Sequence, residues 1–175
     1  MTKTKQNTLK YSKIYFSNTI SGTPDTKRDF GWQLVRYMKS LGCEVLDESV
    51  SGRSLEEHIK MFYKETGFDR RKHKNYWFYI RKHDISLVDK ATHVVAIVNG
   101  PSFGVGMELQ RALDKPKLGL NQTPILCLVE EKLYDGLSNM IRGVSAKESP
   151  TFELKTYQNL RQAKELIYDF LMRYT

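Results

Sequence analysis

At 175 residues with 40% apolar side chains, the chain can bury one sizeable core, and no composition break divides it into two domains. A formal charge of +8 points to an anionic partner, whether nucleic acid, nucleotide or acidic surface, without choosing among them. No stretch approaches the run of about 20 apolar residues a membrane span requires, and the Lys-rich start lacks the apolar segment of a secretory signal, so a soluble cytoplasmic protein is expected.

Residues 1–11 read as a disordered basic tail and residues 12–175 as a single domain. Lys13–Ser17 predicts a short strand. Pro24, the apolar spacing Phe30, Leu34, Met38, Leu41 and the terminal Gly42 predict an amphipathic helix, and residues 44–46 a second strand. A longer helical region covers residues 54–91, broken near Gly67. Residues 94–98 follow as a strand whose near-continuous apolar character suits a parallel sheet buried on both faces. Residues 101–113 predict a helix after a Gly-rich turn, 125–129 a strand, 137–141 a short helix, 152–154 a last strand and 160–171 a closing helix. This alternation specifies an α/β fold with a mostly parallel sheet of about five strands and helices on both faces.

Cys43 and Cys127 are far apart in apolar surroundings, which favours buried free thiols over a disulfide or a metal site. Neither a metal nor an organic cofactor is expected. The basic run from Arg70 to His83 reads as a solvated helix face. Its interleaved aromatics, Phe62, Tyr63, Tyr76, Trp77 and Tyr79, leave open a lid over a ligand or a stacking surface for single-stranded nucleic acid, with Trp77 assigned to the core by its helical position.

In parallel sheets ligands bind beyond the carboxyl ends of the strands, which nominates the loops at 17–23 and 99–106. The first carries Thr19, Ser21 and Gly22; the second carries Ser102, Gly104 and Gly106, where glycines let a backbone approach a ligand and a helix start offers free N–H groups to an anion. The glycine spacing is not the dinucleotide fingerprint. Glu108 stands in the opening turns of the helix that follows, where the macrodipole alone would favour an acid. Asp84 shares a helical face with Trp77, Ile80, Val88 and Ala91, in the middle of an apolar stripe. A carboxylate so placed is costly unless it is paired, hydrogen-bonded or functional.

The segments Ile14-Tyr15-Phe16, Ser102-Phe103-Gly104-Val105-Gly106-Met107-Glu108-Leu109 and Leu137-Ser138-Asn139-Met140-Ile141-Arg142-Gly143 resemble the 2'-deoxynucleoside 5'-monophosphate N-glycosidases, relatives of the nucleoside 2-deoxyribosyltransferases. The likeness runs from about residue 13 to residue 171 in the same order. It implies a flavodoxin-like, Rossmann-like three-layer homodimer in which Glu108 attacks the anomeric carbon and Asp84 positions or protonates the departing base. It also implies Tyr15 beside the sugar, associated with preference for 2'-deoxyribose, and Thr19 and Ser102 on the 5'-phosphate. Ser138 would come from the neighbouring subunit. Each serine by itself more often serves as a helix cap.

Three positions depart from the family pattern. Ser21 stands where the nucleotide hydrolases carry a phosphate-binding arginine, with Lys27 or Arg28 nearby; His93 replaces an aspartate; Ser49 replaces a histidine near the base pocket. The expected reaction is hydrolysis of a nucleotide to free base and 2-deoxyribose 5-phosphate. Transfer of the deoxyribosyl group to a second base, and a nucleotide- or nucleic-acid-binding module without turnover, are the alternatives.

Overall fold

The computed structural model describes residues 9–19 and 25–175. Its elements are β1 (Lys13–Ser17), α1 (Asp25–Ser40), β2 (Glu44–Val45), α2 (Leu55–Thr66), α3 (Tyr76–Lys90), β3 (His93–Ile97), α4 (Phe103–Asp114), β4 (Ile125–Glu130), α5 (Asn139–Arg142), β5 (Phe152–Tyr157) and α6 (Leu160–Tyr174). The strands form one parallel sheet in the order β2-β1-β3-β4-β5. That order reverses direction between β1 and β3, and the crevice beyond the carboxyl ends of those two strands is where such folds place ligands.

The strand period of two sorts the core into two layers. Ile14 and Phe16 of β1 face α1 and α6, packing with Leu34, Met38, Ile167 and Phe170. Tyr15 faces the opposite side, where Val88 of α3 and Val105, Leu109 and Ala112 of α4 cover the sheet. The outcome is the expected three-layer arrangement, with both cysteines buried and free. Burial pushes the Cys127 thiol up to about 12, so it remains an inert thiol at neutral pH.

Local chemistry sets the element ends. Ser54 caps α2 by accepting from the Glu57 N–H at 3.1 Å, and Gly67 closes it in a left-handed conformation, φ 70°, that a side chain would strain. The break expected near Gly67 therefore falls where the sequence places it. At the end of α3, the fully buried Lys115 donates from Nζ to the carbonyls of Val88 and Ala91 at 3.2 and 2.8 Å, a cation on the negative pole of the helix. Arg111 adds a bidentate pair to Asp89 at 2.8 and 2.7 Å. Together these clamp α4 to α3, and so fix the helix bearing Glu108 against the helix bearing Asp84.

Three expectations change. Leu9–Tyr11, assigned to the tail, form a 3-10 turn with Leu9 fully buried in the α1/α6 layer, because an apolar side chain next to β1 finds core to fill. Trp77 is half exposed rather than core: the first turn of α3, Tyr76 to Tyr79, is exposed throughout, and the helix packs on the sheet only from Leu87 onward. β5 extends to Tyr157, whose ring stacks on Phe30 at 5.0 Å and whose hydroxyl accepts from Asn99 Nδ2 at 2.5 Å. Among the described residues no helix is long and apolar enough to cross a membrane.

Candidate active site

Tyr15 and Ser17 lie two residues apart on β1 and so project from the same face. Both meet Glu108, which α4 carries over the sheet at its second turn. Ser17 Oγ donates to Glu108 Oε2 at 2.5 Å, and the Tyr15 hydroxyl donates to the same carboxylate. Burial raises the Glu108 pKa, the two hydroxyls pull it back, and the charge of Asp47 raises it again. The buried Tyr15 phenol is held far above its usual value, first by burial and then by Glu108, so it stays a hydrogen-bond donor. Glu108 is thus a carboxyl met by two directed hydroxyl donors rather than a surface acid at a helix start.

Asp84, on α3, meets a different environment. Burial, then Asp47, then Glu108 push its carboxyl up to about 8, and among the described residues no hydrogen-bond donor holds its charged form. Both carboxyls are raised by burial, but hydroxyl donors reach only Glu108, so the two differ in the support given to their charged forms. Asp47, beyond the carboxyl end of β2, is itself buried and takes a hydrogen bond from Ser49 Oγ at 2.8 Å. Ser49 thus faces inward to Asp47, while its carbonyl meets Nδ1 of His58 at 2.9 Å.

The glycine loop approaches Glu108 at one point. A Cβ added to Gly104 would lie 3.9 Å from both Glu108 Oε1 and Ser102 Oγ, so the missing side chain leaves the space above the carboxylate open. Ser102 also caps α4, accepting weakly from the Val105 N–H at 3.4 Å. Gly106 looks away from Glu108. It lines, with Ser102, Ser138 and the apolar Val105, Leu109 and Ile141, a cavity of about 630 Å³ that none of Glu108, Asp84 and Tyr15 borders. The cavity wall offers no carboxyl or imidazole. Ser138 caps α5 and does not join the acids within one chain. Thr19 follows β1, half-buried at the same sheet edge, while Ser21 and Gly22 lie outside the described residues.

The aromatic segment is part packed and part exposed. Phe62 is buried between His58, Tyr79 and His83, and Phe68 stacks on Tyr79 with ring centres 3.9 Å apart. Since His83 precedes Asp84 on α3, this cluster forms a wall beside the acids. His93 sits at the start of β3, at the end of the sheet opposite the site, with Nδ1 on the Thr92 hydroxyl; burial lowers it to about 4, so it stays neutral and structural.

Sequence reasoning missed two residues here. Ser17 was accessible from strand alternation with Tyr15; Asp47 was not, because the order that sets β2 beside β1 is not written in the pattern of elements.

A parallel sheet with two half-buried carboxyls, Glu108 and Asp84, at its switch point can house glycosyl-bond cleavage, and the protein is an N-glycosidase. The chain is 32% identical to a 2'-deoxynucleoside 5'-phosphate N-hydrolase 1 of Nematostella vectensis over 93% of its own length and 92% of the relative's. It is 31% identical to the mouse 5-hydroxymethyl-dUMP N-hydrolase, over 92% of this chain and 78% of that one, and 35% identical to the Danio rerio enzyme of the same name, over 83% and 86%. It belongs to the 2'-deoxynucleoside 5'-phosphate N-hydrolase family. No family model matches the chain. Among solved structures, the CMP N-glycosidase BcmB of Clostridium botulinum shares the fold, with a TM-score of 0.57 over 90% of this chain and 98% of that one at 14% identity.

Proposed function

We propose that the protein hydrolyses the N-glycosidic bond of 2'-deoxynucleoside 5'-monophosphates, releasing the free base and 2-deoxyribose 5-phosphate. The observation that carries this reading is the pairing of Glu108, which accepts from Ser17 and Tyr15, with Asp84, whose carboxyl burial raises to about 8. The Glu108 carboxylate attacks C1' as the C1'–N bond breaks, and the Asp84 proton passes to the departing base, leaving a glycosyl ester. Water then gives its proton to Asp84 and its oxygen to C1', freeing Glu108. Tyr15, which donates to Glu108, takes the place beside the sugar that the family resemblance associates with preference for 2'-deoxyribose. Thr19, Ser21 and Gly22 from one loop and Ser102 and Gly104 from the other take the phosphate at the α4 N-terminus.

The test is base release from four deoxynucleoside monophosphates and their unphosphorylated nucleosides, with and without an added acceptor base. Hydrolysis of monophosphates is the expected result. Exchange confined to nucleosides with an acceptor would convert the reading to a transferase, and no turnover would refute it.

We infer further that the working unit is a homodimer. Phe103 and Met140 stand 96% and 81% exposed, and Phe78 and Met107 are exposed on α3 and α4, apolar side chains that a partner subunit would cover. In such a dimer Ser138 completes the neighbouring site. Mixing inactive Glu108→Ala with Ser138→Ala subunits should then restore activity, because the mixed dimer holds one intact site. Random reassortment makes half the dimers mixed, so about a quarter of the wild-type sites return. Rates that merely average the two variants would remove Ser138 from the partner's site.

A further inference from the structure

The two oxygens of Glu108 meet different surroundings. Ser17 Oγ donates to Oε2 at 2.5 Å, and Ser17 itself is fully buried at the carboxyl end of β1. Oε1 lies instead toward Gly104, where an added Cβ would find Oε1 and Ser102 Oγ at 3.9 Å and, beyond the local backbone, no other atom within 4 Å. One oxygen is tied to the sheet and the other faces space that a glycine leaves free. We propose that Ser17 is a positioning residue for the nucleophile: its bond to Oε2 turns Oε1 toward the sugar, so that Oε1 joins C1' and Oε2 becomes the carbonyl oxygen of the glycosyl ester. This rests on the reading of Glu108 as the nucleophile.

The carboxyl twist is the softest torsion of a glutamate side chain, so an unheld carboxylate presents either oxygen over a broad range of angles. A donor on a rigid element removes that freedom. Ser17 is such a donor, because its backbone stands in register with Ala96 inside the parallel sheet. As Oε1 attacks, the C1'–N bond breaks and its electron pair leaves with the base. Oε2 keeps its lone pairs throughout, so the Ser17 hydroxyl has an acceptor in the carboxylate and in the ester alike. The bond withdraws some electron density from the nucleophile, but aim outweighs that loss, since a misplacement of about 1 Å costs about a hundredfold in rate. The same hydroxyl favours the ionised form. Around Glu108, β1 supplies Ser17 and Tyr15, the chain beyond β2 supplies Asp47, and α3 supplies Asp84, while Arg111 on its own helix is committed to Asp89. Among these Ser17 does most to offset burial, ahead of Tyr15.

The experiment is base release from a deoxynucleoside monophosphate across pH, for wild type, Ser17→Ala, Ser17→Thr, Ser17→Cys and Glu108→Gln, each first checked for a native circular dichroism spectrum. It is joined to the infrared spectrum of the glycosyl ester trapped with a 2'-fluorinated substrate. Ser17→Ala should lower kcat about tenfold or more, leave KM within about threefold, and move the acidic limb toward higher pH. Ser17→Thr keeps the hydroxyl and should hold kcat within about threefold of wild type. If its extra methyl prevents folding, Ser17→Cys, with a weak donor in the same place, should fall between serine and alanine. The ester carbonyl stretch should lie at higher wavenumber in Ser17→Ala than in wild type, because its hydrogen-bond donor is gone. An unchanged kcat in Ser17→Ala, an equal loss in alanine and threonine, a cysteine no better than alanine, or a carbonyl stretch that does not move overturns this inference alone. An ester that forms as fast on Glu108→Gln as on wild type sinks the nucleophile reading and this inference together.

Discussion

Glu108→Gln is expected to lower base release from the best monophosphate by at least about a thousandfold, leaving substrate binding within a few fold. The carboxylate is the group that forms the bond to C1', and an amide of the same shape is not a nucleophile. Glutamine keeps an oxygen to accept from Ser17 or Tyr15, so the two hydroxyls are not both stranded and the fold should hold. The check is twofold. Steady-state rates measure the loss, and intact-mass analysis after incubation with a 2'-fluorinated substrate, which slows breakdown of the glycosyl ester, should show an adduct on wild type and none on the variant. A variant retaining rates within tenfold of wild type would remove Glu108 from the nucleophile's role.

The placement of Glu108 was legible because two independent patterns converge on it: the Gly-rich turn after an all-apolar strand, and the helix start that follows. Asp84 was legible for a different reason, as a charge in a helical stripe otherwise made of Ile80, Val88 and Ala91. The same stripe misled at Trp77. A helical wheel has no knowledge of where the sheet ends, and α3 overhangs it by more than two turns before Leu87 makes contact. Strand order was not legible from the pattern of elements, and it is the order that sets β2 beside β1 and brings Asp47 to the acids. Nothing local marks Asp47, whose significance arises only when α2, α3 and α4 close around it. Ser138 shows the reverse case: within one chain the structure makes it a cap on α5, and only the resemblance gives it a ligand.

Asp84→Asn should lower the rate by about a hundredfold or more, most for bases that leave poorly without a proton, and should abolish the alkaline limb. The direction follows from the two environments. With its carboxyl raised to about 8, Asp84 carries the proton through neutral pH and loses it above, so activity falls as pH rises through that value. Glu108, raised above the usual glutamate value by burial, must lose its proton to attack, which places the acidic limb higher than an exposed glutamate would. Asparagine keeps the shape but has no proton to give, so only the acidic limb remains. Stability should move oppositely. A carboxyl raised in the folded state binds a proton the unfolded chain has released, so it favours folding below its ordinary value of 3.8, and that contribution is lost as pH rises toward about 8. Above that window wild type keeps an ionised Asp84 beside Asp47 and Glu108, whereas the variant does not. Thermal unfolding followed at about pH 9 and pH 4 should therefore show a higher Tm for the variant than for wild type at the alkaline end and a shrinking gap toward the acidic one. Equal gaps at both ends would mean that Asp84 is solvated as an ordinary surface acid, and with it would go the reason for giving Asp84 the proton.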